Sequence, residues 1–89
     1  MRYVEKRQTI RRQAMKRAQI VFNNGGSSYY CTVRDLSDHG ARLVADEWFA
    51  CPNDVDLKFL EGFERFGTPV NCRIAWHNVY ELGVQFQPN

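Results

Sequence analysis

The sequence predicts an all-β fold, a small six-stranded antiparallel β-barrel that carries a flexible basic arm at its N-terminus. Three observations support this prediction: short segments alternate between apolar and polar residues, turn-forming residues separate them, and no segment has the apolar periodicity of a long helix. The chain has 89 residues, which is enough for one domain. Six short strands would leave exposed edges in an open sheet, so closure into a barrel is the simplest arrangement.

The first half of the chain predicts two strands joined by a hairpin and a third strand beyond it. The strand from Met15 to Phe22 leads into the turn-forming segment Asn23–Ser28, and Tyr29–Arg34 is rich in aromatic and β-branched residues. A second turn, Asp35–Gly40, precedes the short strand Ala41–Val44. We therefore expect the first two strands to pair as a hairpin.

Three further strands follow from clean alternation of apolar and polar residues. They are predicted at Val55–Phe59, Val70–Trp76 and Leu82–Phe86. Because Trp76 alternates with the apolar residues of its strand, we expect its side chain to fill the core rather than to stack on a ligand.

Charge is distributed unevenly between the arm and the barrel. Residues 1–17 contain seven basic residues and one acidic residue, whereas residues 18–89 contain five basic and nine acidic residues. The predicted division is a basic arm at 1–13 and a barrel domain at 14–89. A basic arm on an acidic body indicates an anionic partner such as a nucleotide, nucleic acid, phospholipid or acidic protein surface.

Composition also constrains the compartment and the chemistry. No apolar run is long enough to span a membrane, and the N-terminus is charged rather than apolar, so a cytoplasmic protein is expected. The three cysteines, Cys31, Cys51 and Cys72, form no Cys-x-x-Cys pair. We therefore expect buried reduced thiols, no metal site and no cofactor.

Two short motifs are candidates for binding. Arg7 and Arg11 are four residues apart in the basic arm, a spacing that lets both guanidinium groups address one side. Asp35, Ser37 and Gly40 lie in the turn between the second and third predicted strands. Taken singly, each motif has a simpler explanation: a solvated arginine pair, and a turn whose side chains bond its own backbone.

Taken together and in this order, the motifs resemble those of the PilZ domain, the bacterial receptor family for cyclic di-GMP. Arg7 and Arg11 match the family's RxxxR motif, and Asp35-x-Ser37-x-x-Gly40 matches its [D/N]xSxxG motif. The resemblance extends to the strands around the second motif and to the closing strands, Cys72–Trp76 and Glu81–Phe86. It implies a barrel of the split-barrel type. Relatives often carry a helix after the barrel, and since the sequence ends at Asn89, a single-domain member is expected.

The resemblance implies cyclic di-GMP as the ligand, with a role for each motif residue. Arg7 and Arg11 would anchor phosphates or the O6 and N7 acceptors of guanine. Asp35 would accept hydrogen bonds from the Watson–Crick edge, and Ser37 would bond a guanine edge or a phosphate. Gly40 would allow a positive φ and let the ligand approach the backbone closely.

The residues around the motifs raise further expectations. Lys6 is a further candidate ligand-binding residue, which would contact a phosphate rather than a base because lysine keeps the charge but lacks the guanidinium fork. Many relatives have another arginine at this place, so the sequence leaves open whether monomeric or intercalated dimeric ligand is bound. Arg12, Arg42 and Arg73 are secondary candidates for ligand binding. The family also implies a downstream protein partner in a process such as motility or exopolysaccharide synthesis.

Three other functions remain alternatives. A small barrel that binds nucleic acid would use Phe22, Tyr29 and Tyr30 as stacking platforms, although the acidic body disfavours it. A PilZ-like module that binds only proteins would not need the dinucleotide. An enzyme is disfavoured because Asp35, Ser37 and His39 are too close in sequence to form a triad.

Overall fold

The computed structural model describes residues 12–62 and 65–88, with the backbone alone for 12–15. Its six strands are β1 (Arg12–Phe22), β2 (Ser27–Leu36), β3 (Gly40–Ala45), β4 (Asp54–Phe59), β5 (Val70–His77) and β6 (Glu81–Phe86). They form a closed barrel in the order β1-β2-β3-β6-β5-β4, and all neighbouring strands are antiparallel. The predicted fold class is confirmed.

The long strand β1 closes the barrel because it pairs with a strand on each side. Ile20, which is fully buried, lies opposite Tyr29 in β2 and opposite Leu57 in β4. An 11-residue strand is long enough to pair with β2 along most of its length and with β4 near its end. As a result, the backbone groups of both of its edges enter the sheet.

The core consists of the inward residues of all six strands and one residue of the β3–β4 link. No polar or charged residue among those described is buried. At one end, the rings of Phe22, Tyr29 and Phe49 stack, with 4.3 Å between the centroids of Tyr29 and Phe49. The buried hydrophobic residues are Ala18, Ile20, Cys31, Val33, Leu43, Ala45, Phe49, Val55, Leu57, Cys72, Leu82 and Val84.

The β1–β2 turn explains the dense cluster of turn residues in the sequence. Asn23, Asn24 and Gly25 all have positive φ angles, of 59°, 54° and 84°. Asparagine and glycine are the residues that adopt this region most readily, which is why the hairpin reverses here.

Three register shifts interrupt the regular pairing within the described residues. They lie between Gln13 and Lys16 in β1, between Val33 and Asp35 in β2, and between Ile74 and Trp76 in β5. A β-bulge of this kind adds a residue to one strand and so changes the face on which the following side chains lie. The prediction that Trp76 fills the core is wrong for this reason: its side chain is 44% exposed.

The first described strand begins near the predicted boundary between the arm and the barrel. Strand β1 begins at Arg12, whereas the predicted barrel domain begins at residue 14. Residues 1–11 of the predicted arm, 1–13, lie outside the described residues. The boundary and the flexibility of the arm therefore stay predictions.

Three structural findings bear on the remaining expectations. Over the described residues, no helix is long and apolar enough to cross a membrane, and no group of three or more potential ligand residues is placed to hold a metal ion. Cys31 and Cys72 are fully buried free thiols, whereas Cys51 is only partly buried.

Candidate ligand-binding site

An open groove lies on the outer surface where the β2–β3 turn meets β5 and β6. Its volume is about 320 Å³, which lies within the range of small-molecule sites. The sequence motif contributes Asp35, Ser37 and Gly40 to its wall. The other lining residues are Leu36, His39, Ala41, Arg42, Ala75, Trp76, Gly83, Val84 and Gln85.

The turn at one edge of the groove is held by Ser37. The Ser37 amide donates to the carbonyl oxygen of Gly40 at 2.9 Å. The Ser37 hydroxyl oxygen accepts hydrogen bonds from the amides of His39 and Gly40 at 3.2 and 3.3 Å. Ser37 therefore shapes the turn, as expected of a short polar side chain at this place. The described hydrogen bonds of the Ser37 hydroxyl are all to backbone atoms, so none of them involves the His39 imidazole.

Gly40 is the first residue of β3 and lies beside β6. Its φ is not positive, so the left-handed conformation that a glycine would allow is not adopted here. A Cβ atom on Gly40 would lie 2.1 Å from the carbonyl oxygen of Val84 in the neighbouring strand β6. Glycine is needed here because two backbones approach closely.

The bulge in β2 turns Asp35 toward the groove. Val33 lies opposite Leu43, and Asp35 lies opposite Arg42, so one extra residue of β2 separates the two pairs. Because Leu43 is fully buried, its neighbour Arg42 is on the outer face, and Asp35 shares that face. Regular alternation from the buried Val33 would have directed Asp35 into the core.

Asp35 is joined to Arg42 by a short ion pair. The Arg42 Nε donates to Asp35 Oδ2 at 2.7 Å, and the Arg42 Nη1 lies 3.5 Å from Glu81 Oε2. Hydrogen bonding to Asp35 raises the pKa of Arg42 above its ordinary value, and the charge of Glu81 adds to the effect. The Asp35 side chain is 18% exposed, so the carboxylate is largely screened from water.

Trp76 forms the opposite wall, and sequence reasoning missed it. The bulge in β5 pairs Ile74 with Val84 but Trp76 with Gly83, which places the indole on the outer face. A Cβ atom on Gly83 would lie 2.2 Å from Trp76 Nε1, so the ring lies directly over the glycine. The sequence contained one clue, since an isolated glycine inside a strand indicates a bulge or a close approach.

The first described residues of β1 pair with residues that line this groove. Arg12 lies opposite Leu36, and Gln13 lies opposite Asp35. Lys6, Arg7 and Arg11 lie outside the described residues. Two of the secondary candidates can be located: Arg42 lines the groove, whereas the exposed Arg73 on β5 does not. The side chain of the third, Arg12, is among those not described.

The chain matches the PilZ domain over residues 5–89, almost its whole length. It belongs to the PilZ domain family. The PilZ family is a family of cyclic di-GMP receptors and is not known as an enzyme family. The match includes the positions of both the RxxxR and the [D/N]xSxxG motifs. A search of the curated proteins found no match to the chain.

Proposed function

We propose that this PilZ domain is a cytoplasmic receptor for cyclic di-GMP that signals to a partner protein by a change of its surface. One observation carries the proposal: the described motif residues line a single groove, and β1 brings the chain that follows Arg11 to its edge. The groove presents a carboxylate and an exposed aromatic ring, and the arm carries the guanidinium groups of Arg7 and Arg11. These are the groups that a guanine base and a phosphodiester require.

Recognition of guanine would depend on the Asp35 carboxylate. The Watson–Crick edge of guanine presents N–H donors, which a carboxylate accepts, whereas adenine presents an acceptor at the same ring position. Trp76 would stack on a base, since base–aromatic stacking tolerates any base and contributes affinity rather than discrimination. Asp35 would therefore select the base, and Trp76 would hold it.

The phosphates would be bound by the arm. Arg7 and Arg11 carry the charge that the groove itself lacks, because the positive charge of Arg42 is already paired with Asp35. Guanidinium groups bind phosphate oxygens and the O6 and N7 atoms of guanine in a bidentate manner. Binding would draw the arm against the groove and so create the surface that a partner recognises.

Calorimetric titration of the purified protein with cyclic di-GMP tests this proposal, with GTP and cyclic di-AMP as controls. We expect saturable binding of cyclic di-GMP alone, and the stoichiometry would distinguish one ligand molecule from two. Failure to bind would overturn the receptor function and leave a PilZ module that binds other partners.

The motif arginines give a second test. Arg7→Ala and Arg11→Ala are each expected to weaken binding by about 2–4 kcal/mol, because each removes charge-assisted hydrogen bonds to the ligand. Arg2→Ala is the matched control, since it removes the same charge from the same arm outside the motif. The assignment is wrong if either motif variant binds within about threefold of wild type, or if Arg2→Ala loses as much affinity.

The nucleic-acid alternative loses two of its three stacking platforms in the structure. Phe22 and Tyr29 are partly buried and stack with Phe49 against the core, and only Tyr30 is exposed. A base cannot stack on the ring faces that already pack against another ring, and partial burial against the core restricts access to the rest of these two side chains.

A further inference from the structure

The Asp35–Arg42 ion pair has a feature that the guanine-binding role of Asp35 does not explain. A carboxylate at the ligand site repels the phosphates of a dinucleotide unless its charge is balanced. Asp35 and Arg42 are directly opposed across β2 and β3, and one Asp35 oxygen accepts from Arg42 Nε at 2.7 Å. The other oxygen, Oδ1, has no hydrogen bond among the described residues.

Arg42 is itself held on two sides. Its Nε is bound to Asp35, and its Nη1 lies 3.5 Å from Glu81 at the start of β6. Its partner across the β3–β6 pair is Gly83, the residue beneath the indole of Trp76. A planar guanidinium group held at two atoms has one orientation. Its hydrogen bond to the carboxylate therefore also fixes the orientation of that carboxylate.

We propose that Arg42 is a positioning residue that sets base specificity through Asp35: it fixes the carboxylate plane and balances its charge, so that Asp35 accepts from the guanine edge while the phosphates approach. The proposal rests on the proposed function, because it concerns how the same groove selects its base. It assigns Arg42 an action through Asp35 rather than a contact with the ligand.

A double-mutant cycle distinguishes these two roles. The variants are Arg42→Gln, Asp35→Ala and both together, titrated with cyclic di-GMP by calorimetry; alanine is used because the motif also accepts asparagine at this position. We expect each single change to weaken binding about tenfold or more, as for the loss of a hydrogen bond to a charged group. If Arg42 acts through Asp35, Arg42→Gln has little further effect in the Asp35→Ala background. Equal losses in both backgrounds would show that Arg42 contacts the ligand directly and would overturn the proposal.

Base preference gives a readout that a merely structural role would not change. The hypoxanthine analogue of cyclic di-GMP lacks the exocyclic 2-amino group that a fixed carboxylate recognises. We expect Arg42→Gln to reduce the preference of the protein for guanine over hypoxanthine. Arg42→Lys should retain more of the affinity, because the charge remains, but not the base preference, because the fork is lost. An unchanged preference in Arg42→Gln would contradict the proposal.

The controls separate failure of this inference from failure of the proposed function. Arg65→Gln removes the same charge from an exposed loop residue outside the groove lining and is expected to bind as wild type does. Absence of wild-type binding would remove the receptor function and this inference with it. If the wild-type protein binds and the effects of the Arg42 and Asp35 substitutions are additive, the role of Arg42 is wrong but the receptor function stands.

A ligand-free measurement tests the ion pair itself. In NMR spectra of the nitrogen-15-labelled protein, Asp35→Asn should shift the Arg42 Nε–H resonance and increase its exchange with water, because the 2.7 Å charged hydrogen bond becomes a neutral one. An unaffected resonance would show that the pair is absent in solution and would overturn the proposal. The same spectra report whether each variant remains folded.

Discussion

The direction of two side chains at the groove is decided by single extra residues in their strands. Asp35 and Trp76 each follow a β-bulge, and each lies on the outer face instead of the face that alternation alone would give. The energetic reason is local. A carboxylate directed into the apolar core would have to lose its charge or find a buried partner. On the outer face, Asp35 forms an ion pair with Arg42.

At this scale, Trp76 gives a direct test of stacking. Trp76→Ala is expected to weaken cyclic di-GMP binding by about 1–3 kcal/mol, the usual contribution of one base–aromatic contact. Trp76→Phe should retain part of that affinity because it keeps an aromatic face. Trp48 is 63% exposed but lies outside the groove lining, so Trp48→Ala is the matched control and should not change binding. Equal effects of Trp76→Ala and Trp48→Ala in titration calorimetry would rule out a stacking role.

At the scale of elements, the close approach of β3 to β6 depends on Gly40. Its hypothetical Cβ meets the backbone of Val84, which cannot move without displacing the strand. We expect Gly40→Ala to lower the free energy of unfolding by about 1–3 kcal/mol, as overpacking does, measured by urea denaturation.

Gly83→Ala is the control for this prediction. The obstacle there is the exposed ring of Trp76, which can swing away, so the loss of stability should be smaller and tryptophan fluorescence should change. A Gly40→Ala protein as stable as wild type would show that the strands separate readily at this point.

A second contact between elements depends on pH. Arg17 in β1 binds Asp46 beyond β3 through two hydrogen bonds of 2.9 and 2.6 Å and also donates to Thr32 in β2. The hydrogen bond from Arg17 lowers the pKa of Asp46 below its ordinary value of 3.8. A lowered folded-state pKa means that the pair stabilises fully above pH 3.8 and loses this contribution as the pH falls through the lowered value.

Asp46→Asn is therefore expected to destabilise the protein at neutral pH but not in strong acid. Both side chains are more than 40% exposed, so the difference should not exceed about 1 kcal/mol. Urea unfolding of both proteins across this pH range measures it. Glu47→Gln is the matched control, since the described ion pairs do not include Glu47. A difference that persists in strong acid would contradict the ion-pair explanation.

At the scale of the whole molecule, the cysteines report on global unfolding. Burial raises the pKa of Cys31 and of Cys72 to about 12, so neither thiol ionises appreciably at neutral pH. Burial also raises the pKa of Cys51, but this thiol is only partly buried.

Alkylation by iodoacetamide should follow this order. We expect Cys51 to react first in the native protein, and Cys31 and Cys72 to react only at the rate of unfolding, as followed by mass spectrometry. Cys51→Ser is the control variant, because its remaining two thiols should both be protected. Rapid native-state alkylation of Cys31 would show that the barrel opens locally at β2.

Much of this protein was determined by the sequence alone. Alternation at period two, turn residues and chain length were sufficient for an all-β barrel of six strands, because apolar burial acts on every strand in the same way. The two motifs were sufficient for the family. The pairing of β1 with β4 and of β3 with β6, the three bulges and the ion pair of Asp35 with Arg42 were decided by tertiary structure. The physical reason is that a bulge costs little within one strand, so only the fit between neighbouring strands selects its position, and with it the face on which Asp35 and Trp76 lie.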